Sequence, residues 1–414
     1  MSAPSILISG ASIAGPALAY WLRAAGWRTT VVERFDGLRE AGHNIDVRGA
    51  AREVVRRMGI EDTLFASATG EQGTEFLDAG GRSIAVFPRA TSETGGATAE
   101  LEILRGELSR VIHEATPPGT EYLFGDSITD LDDRGDRVEV TFREGPRRSF
   151  DVVVVAEGLT SRTRSLVMPR ADIRHLGLYM AFLTIPRTDE DNDFWRWFHA
   201  PGQRQVITRP DNLGTTRALL AFMTNLRGLE NLDQRAQTEL LRRTFADVGW
   251  AAPRILDALD DAPYHFDAIG QVRLPTWSRG RVGLVGDAAH CASPLSGMGT
   301  SLALVGAYVL AAELATAPDH TRAFARYEHR MRPYVEGAQD LGPGTPRLAF
   351  PRTRAGIRVL HTAVKAAASA PARRLAMLDR FAAPPADKIE LPDFFPGGTH
   401  RHAAAPGCRP VRRP

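Results

Sequence analysis

The chain has 414 residues, 43% of them hydrophobic, and a formal net charge of +2 at pH 7. That length supports a large core, in one big domain or two, and near-neutral charge argues against nucleic acid or an anionic membrane as partner. Two cysteines, Cys291 and Cys408, make no disulfide framework and suit a reducing cytosol. No apolar run approaches the ~20 residues of a membrane span. The first strand begins so early that no signal peptide is expected, and the expected location is cytoplasmic.

Ser5 to Ser9 reads as a short apolar strand, followed by Gly10-Ala-Ser-Ile-Ala-Gly15, a helix through about Ala25, and a strand from Thr29 to Glu33. Strand, glycine turn, helix, strand and acid form the layout of a dinucleotide-binding unit. Gly10 allows the tight turn and Gly15 a close approach of helix to strand. Ser12 replaces the middle glycine, so the pyrophosphate meets a more crowded backbone at Gly10, Ser12, Ala14 and Gly15. Glu33 is suited to accept from ribose hydroxyls, which favours a 2′-hydroxyl over a 2′-phosphate.

Gly42 to Arg48 is irregular and precedes a helix from about Ala50 to Met58; His43 within it reads as a solvated loop histidine. Residues 70–100 suggest a hairpin of Thr74–Leu77 and Ser83–Phe87, with Ser92 to Ala97 a mobile loop. A helix starts around Ile103 to Leu108. Strands then follow at Tyr122–Phe124, Ser127–Leu131 and Arg137–Arg143, and an apolar strand from Phe150 leads to Glu157-Gly158 and Ser161 to Arg164.

Leu178–Ile185, Asp193–Phe198, Arg204–Thr208 and Arg217–Thr224 read as strands of a further sheet. Alternation sets Trp195 and Trp197 on one side and Phe194 and Phe198 on the other. A helix spans Arg235 to about Val248, and Leu256–Tyr264 leads back to the first domain.

The densest stretch is Arg281 to Leu304. Val282, Leu284 and Val285 end a buried strand at Gly286. Asp287, Pro294, Gly297 and Gly299 follow, ahead of a helix marked by Leu302, Val305, Val309 and Leu310. A carboxylate and a bare helix start aimed at one place suit an anionic cofactor. Helices continue to about Ala315 and from Thr321 to about Ala338. Gly342 to Pro346 breaks the chain, residues 350–382 suggest amphipathic helix, and Pro384 to Pro414 reads as a loose tail.

Gly10–Gly15, Glu157–Arg164 and Gly286–Gly299, in that order, resemble the three fingerprints of the single-component FAD-dependent monooxygenases, the para-hydroxybenzoate hydroxylase-like family. The chain departs from the family at Glu157, where Asp is usual, and at Met298 and Ser301, where Gln and Asn are frequent. The resemblance implies that Asp287 binds the ribityl chain and that Pro294, Gly297 and Gly299 lie along the flavin ring. It places Arg34 near the adenosine, Asp46 and Arg48 at the ring as candidates for catalysis, and Arg105 on FAD.

The implied fold is α/β: a Rossmann-like FAD-binding domain, an inserted, mostly antiparallel substrate sheet, and C-terminal helices. Its divisions are expected at 1–174, 175–270 and 271–345, with a helical region at 346–383 and the tail at 384–414. The implied reaction uses NADPH or NADH to reduce FAD; O2 then adds at the flavin C4a, and the hydroperoxide delivers one oxygen atom, most simply as a hydroxylation. The substrate is expected to be hydrophobic and aromatic or polycyclic, bordered by Tyr179 or Met180, Phe222 or Met223, and the Trp195 strand. A flavin halogenase fits poorly, because His199 and Ala200 follow Trp195-Arg-Trp197 and no Lys precedes Lys365. A flavin oxidase or dehydrogenase, or a flavin-containing binding protein, remains open, as does the oligomeric state.

Overall fold

Unbroken runs of Val, Ile and Leu make strands that must be covered on both faces. Such runs build the first sheet in the computed structural model, which describes residues 3–39, 42–89, 99–169, 171–342, 344–369 and 388–393. Ser5–Ser9 lies at its centre between Val152–Val155 and Arg28–Glu33, with Val282–Leu284 and Glu121–Phe124 outside them, all parallel. The short strand Ser278–Arg279 closes one edge antiparallel. Ile6, Leu7 and Ile8 are consecutive and all 0% exposed, so neither face of the central strand meets water.

The helix Gly299–Thr316 is apolar all round and must therefore be buried all round. By length and composition it could cross a membrane, with a mean hydropathy of 1.4, yet 83% of it is buried inside the protein. It is a core helix, packed against Ala14–Ala24, Ala50–Arg57 and His320–Gln339.

The second sheet has seven strands in the order Tyr264–Arg273, Asp172–Pro186, Thr215–Met223, Arg204–Pro210, Trp195–Ala200, Gly73–Leu77, Ser83–Pro88. Its pairings are antiparallel except Trp195–Ala200 with Gly73–Leu77. The fold is thus α/β, with a parallel Rossmann-like sheet, an inserted antiparallel sheet and C-terminal helices. The expected connector Leu256–Tyr264 leads into Tyr264–Arg273, a ten-residue edge strand to which the sequence reading assigned no element.

Register sorts the two faces of this sheet. Tyr179 pairs with Phe222 and Met180 with Ala221. Tyr179, Leu183, Leu220 and Phe222 pack with Phe266 against Leu241 and Phe245 of the helix Gln234–Phe245 and Ile255 of Ala252–Asp257. Leu178, Met180, Ile207 and Leu219 face the other way, with Leu295 and Phe350. Trp195 and Trp197 share this second face, while Phe198 joins the first.

The last regular element among the described residues is Arg354–Ala368, whose first turn is capped by Thr353 Oγ1 accepting from the Gly356 N–H at 3.0 Å. The expected loop Ser92–Ala97, the expected helix beyond 369, and the tail apart from 388–393 lie outside the described residues.

Two buried histidines give stability a pH dependence. His290 lies with Nε2 3.1 Å from the Tyr327 hydroxyl and its ring against Trp277, and burial lowers its pKa to about 3. Burial, helped by neighbouring His361, lowers that of His199 to about 4. In the unfolded chain both take up protons below about pH 6.5, so the unfolded state binds more protons than the native one. The stability they contribute is present above that pH and is lost on acidification, through about pH 4 for His199 and about pH 3 for His290. Each costs up to about 1.4 kcal/mol per pH unit. Denaturant midpoints should fall between pH 6.5 and 4, and His199→Gln should make the decline shallower.

Candidate active site

At Gly10, φ is +110° and a Cβ would meet the Ala156 carbonyl oxygen at 2.6 Å; at Gly15 it would lie 1.9 Å from the Gly10 oxygen. The strand-to-helix turn is therefore backbone against backbone, which only glycine permits. The Ala11 N–H donates to Glu33 Oε2 at 2.8 Å and the Phe35 N–H to Oε1 at 3.2 Å, which holds the half-buried Glu33 carboxylate against the turn. The helix Ala14–Ala24 begins without a side-chain cap and without an acid in its first turn. Its unpaired N–H groups and positive dipole end are open to an anion. Arg105, exposed, donates from Nη2 to Ser12 Oγ at 3.0 Å and adds a cation to the same loop. Arg34 is also exposed, its guanidinium 4.9 Å from the Phe35 ring centre.

The second part of the site abuts the first, because a Cβ at Gly286 would fall 3.0 Å from the Ala14 Cβ. Asp287 opens the short helix Asp287–His290. Burial raises its pKa, and the charge of Arg105 opposes that rise. Ser293 has φ +77° and its Oγ is buried without a partner. Such backbone strain costs on the order of 1–3 kcal/mol and collects at functional sites.

Pro294 is exposed and starts the turn Pro294–Ser296, Gly297 ends it, and Gly299 opens the long core helix, again with neither cap nor first-turn acid. Met298 points into the core with no exposed surface, and Ser301 Oγ donates to the Arg48 carbonyl at 3.5 Å. Arg48 is itself 2% exposed, with Nε and Nη2 donating to Asp46 Oδ2 at 3.1 and 2.7 Å.

Glu157 has a different environment. Its carboxylate accepts from Ser9 Oγ, from Ser161 Oγ at 2.7 Å and from Thr163 Oγ1 at 2.5 Å. It clasps the end of one strand to the start of the helix Thr163–Val167. Arg164, buried, donates to the carbonyls of Leu159 and Ala288 and ties this loop to the Asp287 helix.

Opposite the Asp287–Gly299 turn stands the second face of the seven-stranded sheet. Met180, Trp195 and Met223 lie on it beside Leu295. Tyr179 and Phe222 do not. They belong to the helix-backed core, their rings stacked 5.7 Å apart, and the Tyr179 hydroxyl reaches Leu226 and Glu230 on that side. Of the alternatives Tyr179 or Met180 and Phe222 or Met223, the structure thus sets Met180 and Met223 on the face beside Leu295, the difference being one of register, since one residue along a strand exchanges the faces.

Arg209, the unpaired state of two indoles and the burial of one histidine were not foreseen from the sequence. Arg209 is clamped by Glu71, at 2.8 and 3.1 Å, and lies 3.0 Å from Glu102; its guanidinium sits 4.1 Å above the Trp195 ring. The indole N–H groups of Trp195 and Trp197 are buried without partners among the described residues. His43 is not the solvated residue expected. Its Nδ1 is buried and unpartnered, its ring lies 4.3 Å from Phe182, and burial together with Arg209 and Arg217 holds its pKa well below the usual histidine value.

The family profile described as FAD binding domain matches residues 4–341. The chain belongs to the FAD binding domain family. It is a flavin-dependent monooxygenase, and its cofactor is FAD. The two uncapped helix starts, the ribose acid at Glu33 and the partly enclosed Asp287 carboxylate are groups that fit FAD. Among relatives, the uncharacterized protein Rv1260 of Mycobacterium tuberculosis is 41% identical over 342 residues, 81% of this chain and 91% of its own. A flavin-dependent monooxygenase of Legionella longbeachae is 35% identical, covering 81% and 87%. The crystal structure of tetracycline destructase Tet(51) has a TM-score of 0.79 and 32% identity, covering 95% of this chain and 100% of that one.

Asp287→Ala should purify folded but with little flavin, read as flavin absorbance per protein beside an unchanged circular dichroism spectrum. Full flavin occupancy in that variant would remove Asp287 from the site.

Proposed function

We propose that the enzyme uses NADPH or NADH and O2 to hydroxylate a hydrophobic, ring-bearing small molecule, of aromatic or polycyclic type. The supporting observation is the apolar face of Leu178, Met180, Phe182, Ile207 and Trp195, turned toward the Asp287–Gly299 turn and carrying two unpartnered indole N–H donors. An apolar pocket wall with a few convergent polar groups is the usual composition of a small-molecule site. The likeness to a tetracycline destructase supports a polycyclic substrate in particular.

Bound FAD supplies the acceptance of two electrons from the nicotinamide and the activation of oxygen. In this proposal Asp287 holds the ribityl hydroxyls, and Gly10, Ala14 and Gly15 hold the pyrophosphate. The bare N-terminus at Gly299 favours negative charge on the adjacent ring edge. Arg48, fixed by Asp46, adds a second positive group there. Trp195 and Trp197 donate to a substrate oxygen. His43, kept neutral by burial and two arginines, can take the proton of a substrate hydroxyl at its free Nδ1. The apolar wall keeps water away and so keeps oxygen transfer coupled to substrate.

A screen of NAD(P)H oxidation against phenolic and polycyclic compounds, with product and peroxide both measured, tests this. Substrate-dependent oxidation that yields only peroxide with every compound would sink the hydroxylase reading. Truncations separate the two sheet faces. Met180→Ala and Trp195→Phe should keep FAD and raise the peroxide-to-product ratio. Phe222→Ala should cost about 3–5 kcal/mol of stability and leave coupling in the folded fraction unchanged. The reverse pattern would move the substrate to the other face.

A further inference from the structure

A cavity of about 1080 Å³ lies where the strand Asp172–Pro186 shifts register between His175 and Leu178, beside the ends of Arg204–Pro210 and Thr215–Met223 and the segment Gly344–Arg352. Arg174, Arg227, Arg347 and Arg352 line it, and no carboxylate does. Elsewhere on this surface arginines are matched with acids: Arg204 with Asp247, Arg242 with Asp260 and Arg254 with Asp191. The four lining arginines have no ion pair among the described residues.

The cavity is joined to the proposed substrate side. Met223 and Phe350 line it and belong to the cluster that contains Leu295, next to Pro294. Exposed Leu226 and Leu348 neighbour Arg227 and Arg347 in the chain, which puts apolar surface beside the charged rim.

Four guanidiniums around one space exceed what a single carboxylate needs, and their planar forks match phosphate oxygens in pairs. The space is a half-open cleft at the top of the roughly 300–1,000 Å³ range of small-ligand pockets, with room for a large ligand. The ligand that suits both is large, carries several phosphate charges and has a purine ring for the apolar rim. The turn at Gly10–Gly15 is not its place, because Glu33 there disfavours a 2′-phosphate.

We infer that this cavity docks the phosphate groups of the nicotinamide coenzyme, and that its charge selects NADPH over NADH. The assignment rests on the proposed use of a nicotinamide reductant. It adds a location and a preference to that use.

The test uses the FAD-loaded enzyme and the double variant Arg347→Gln/Arg352→Gln. Both side chains are exposed, so folding and flavin content should be unchanged. Adenosine 2′,5′-bisphosphate, which cannot reduce flavin, is titrated by calorimetry, and the rate of flavin reduction is followed against NADPH and NADH concentration. The double variant should bind the bisphosphate at least tenfold more weakly and need at least tenfold more NADPH for half-maximal reduction, with a smaller change for NADH. Added salt should weaken the wild type more than the variant. Equal bisphosphate affinity in the two proteins overturns the inference. So does a defect confined to the KM of an acidic substrate, which would make the cavity a substrate subsite. Failure of the hydroxylase reading would look different: flavin reduction and bisphosphate affinity intact, but no oxygenated product.

Discussion

A guanidinium buried between two sheets has to be neutralised where it stands, because removing either partner strands a charge away from water. Arg209 is in that position. It comes from the seven-stranded sheet and meets Glu71 and Glu102, whose side chains are 0% and 3% exposed. Burial pushes Glu102 well above the usual carboxylate range, with Glu71 and Asp46 adding to the push and Arg209 opposing it. Asn44 donates both to Glu102 Oε1 and to the Pro210 carbonyl. Through this cluster the pair of short strands Asn44–Asp46 and Glu102–Leu104, which lead into Arg48 and Arg105, is held to the sheet that carries Trp195. The spacing between the Asn44–Asp46 and Glu102–Leu104 pair and the seven-stranded sheet is thus set by charge as well as by packing.

The N-terminal fold and the strand, turn and helix start around Gly286–Gly299 were legible in the sequence because they are built from local rules. Gly10, Gly15 and Glu33 announce a backbone turn and an acid at set intervals, and the Val152–Val155 run can only be a covered strand. The substrate side was legible as strands but not as faces. Register across Tyr179 and Phe222 depends on partners 43 residues apart, and nothing local to either residue records which side the helix Gln234–Phe245 will cover. The strand Tyr264–Arg273 was missed for a related reason: it sits at an edge, carries the more exposed His265 and Asp267 and the buried, hydrogen-bonded Gln271, and so lacks the apolar signature. Arg209 and His43 were beyond reach, since a charged or titratable side chain shows its role only through what surrounds it.

The departures from the family pattern have physical counterparts. With Glu at position 157, the longer side chain reaches three hydroxyls of its own chain, and the carboxylate becomes a clasp between strand and helix. With Met at 298, a polar contact to a ring is replaced by a side chain that fills the core beneath the turn. The first change spends a carboxylate on hydrogen bonds within the protein, and the second puts an apolar side chain where the family often has a polar one.

The two-faced sheet has a consequence for how this enzyme can change. Along Leu178–Leu183, alternate residues answer to different demands: in the proposed function one set borders the substrate, while the other packs against the covering helices. In that reading, drift at Leu178, Met180 and Phe182 alters which molecule is accepted, within a limit set by their own packing, since Leu178 is 1% and Met180 6% exposed. Drift at Tyr179, Ala181 and Leu183 is filtered before any catalysis occurs. A library that randomises only every second codon in this strand to other apolar residues would therefore vary one face and leave the other intact, and a one-codon offset would exchange them.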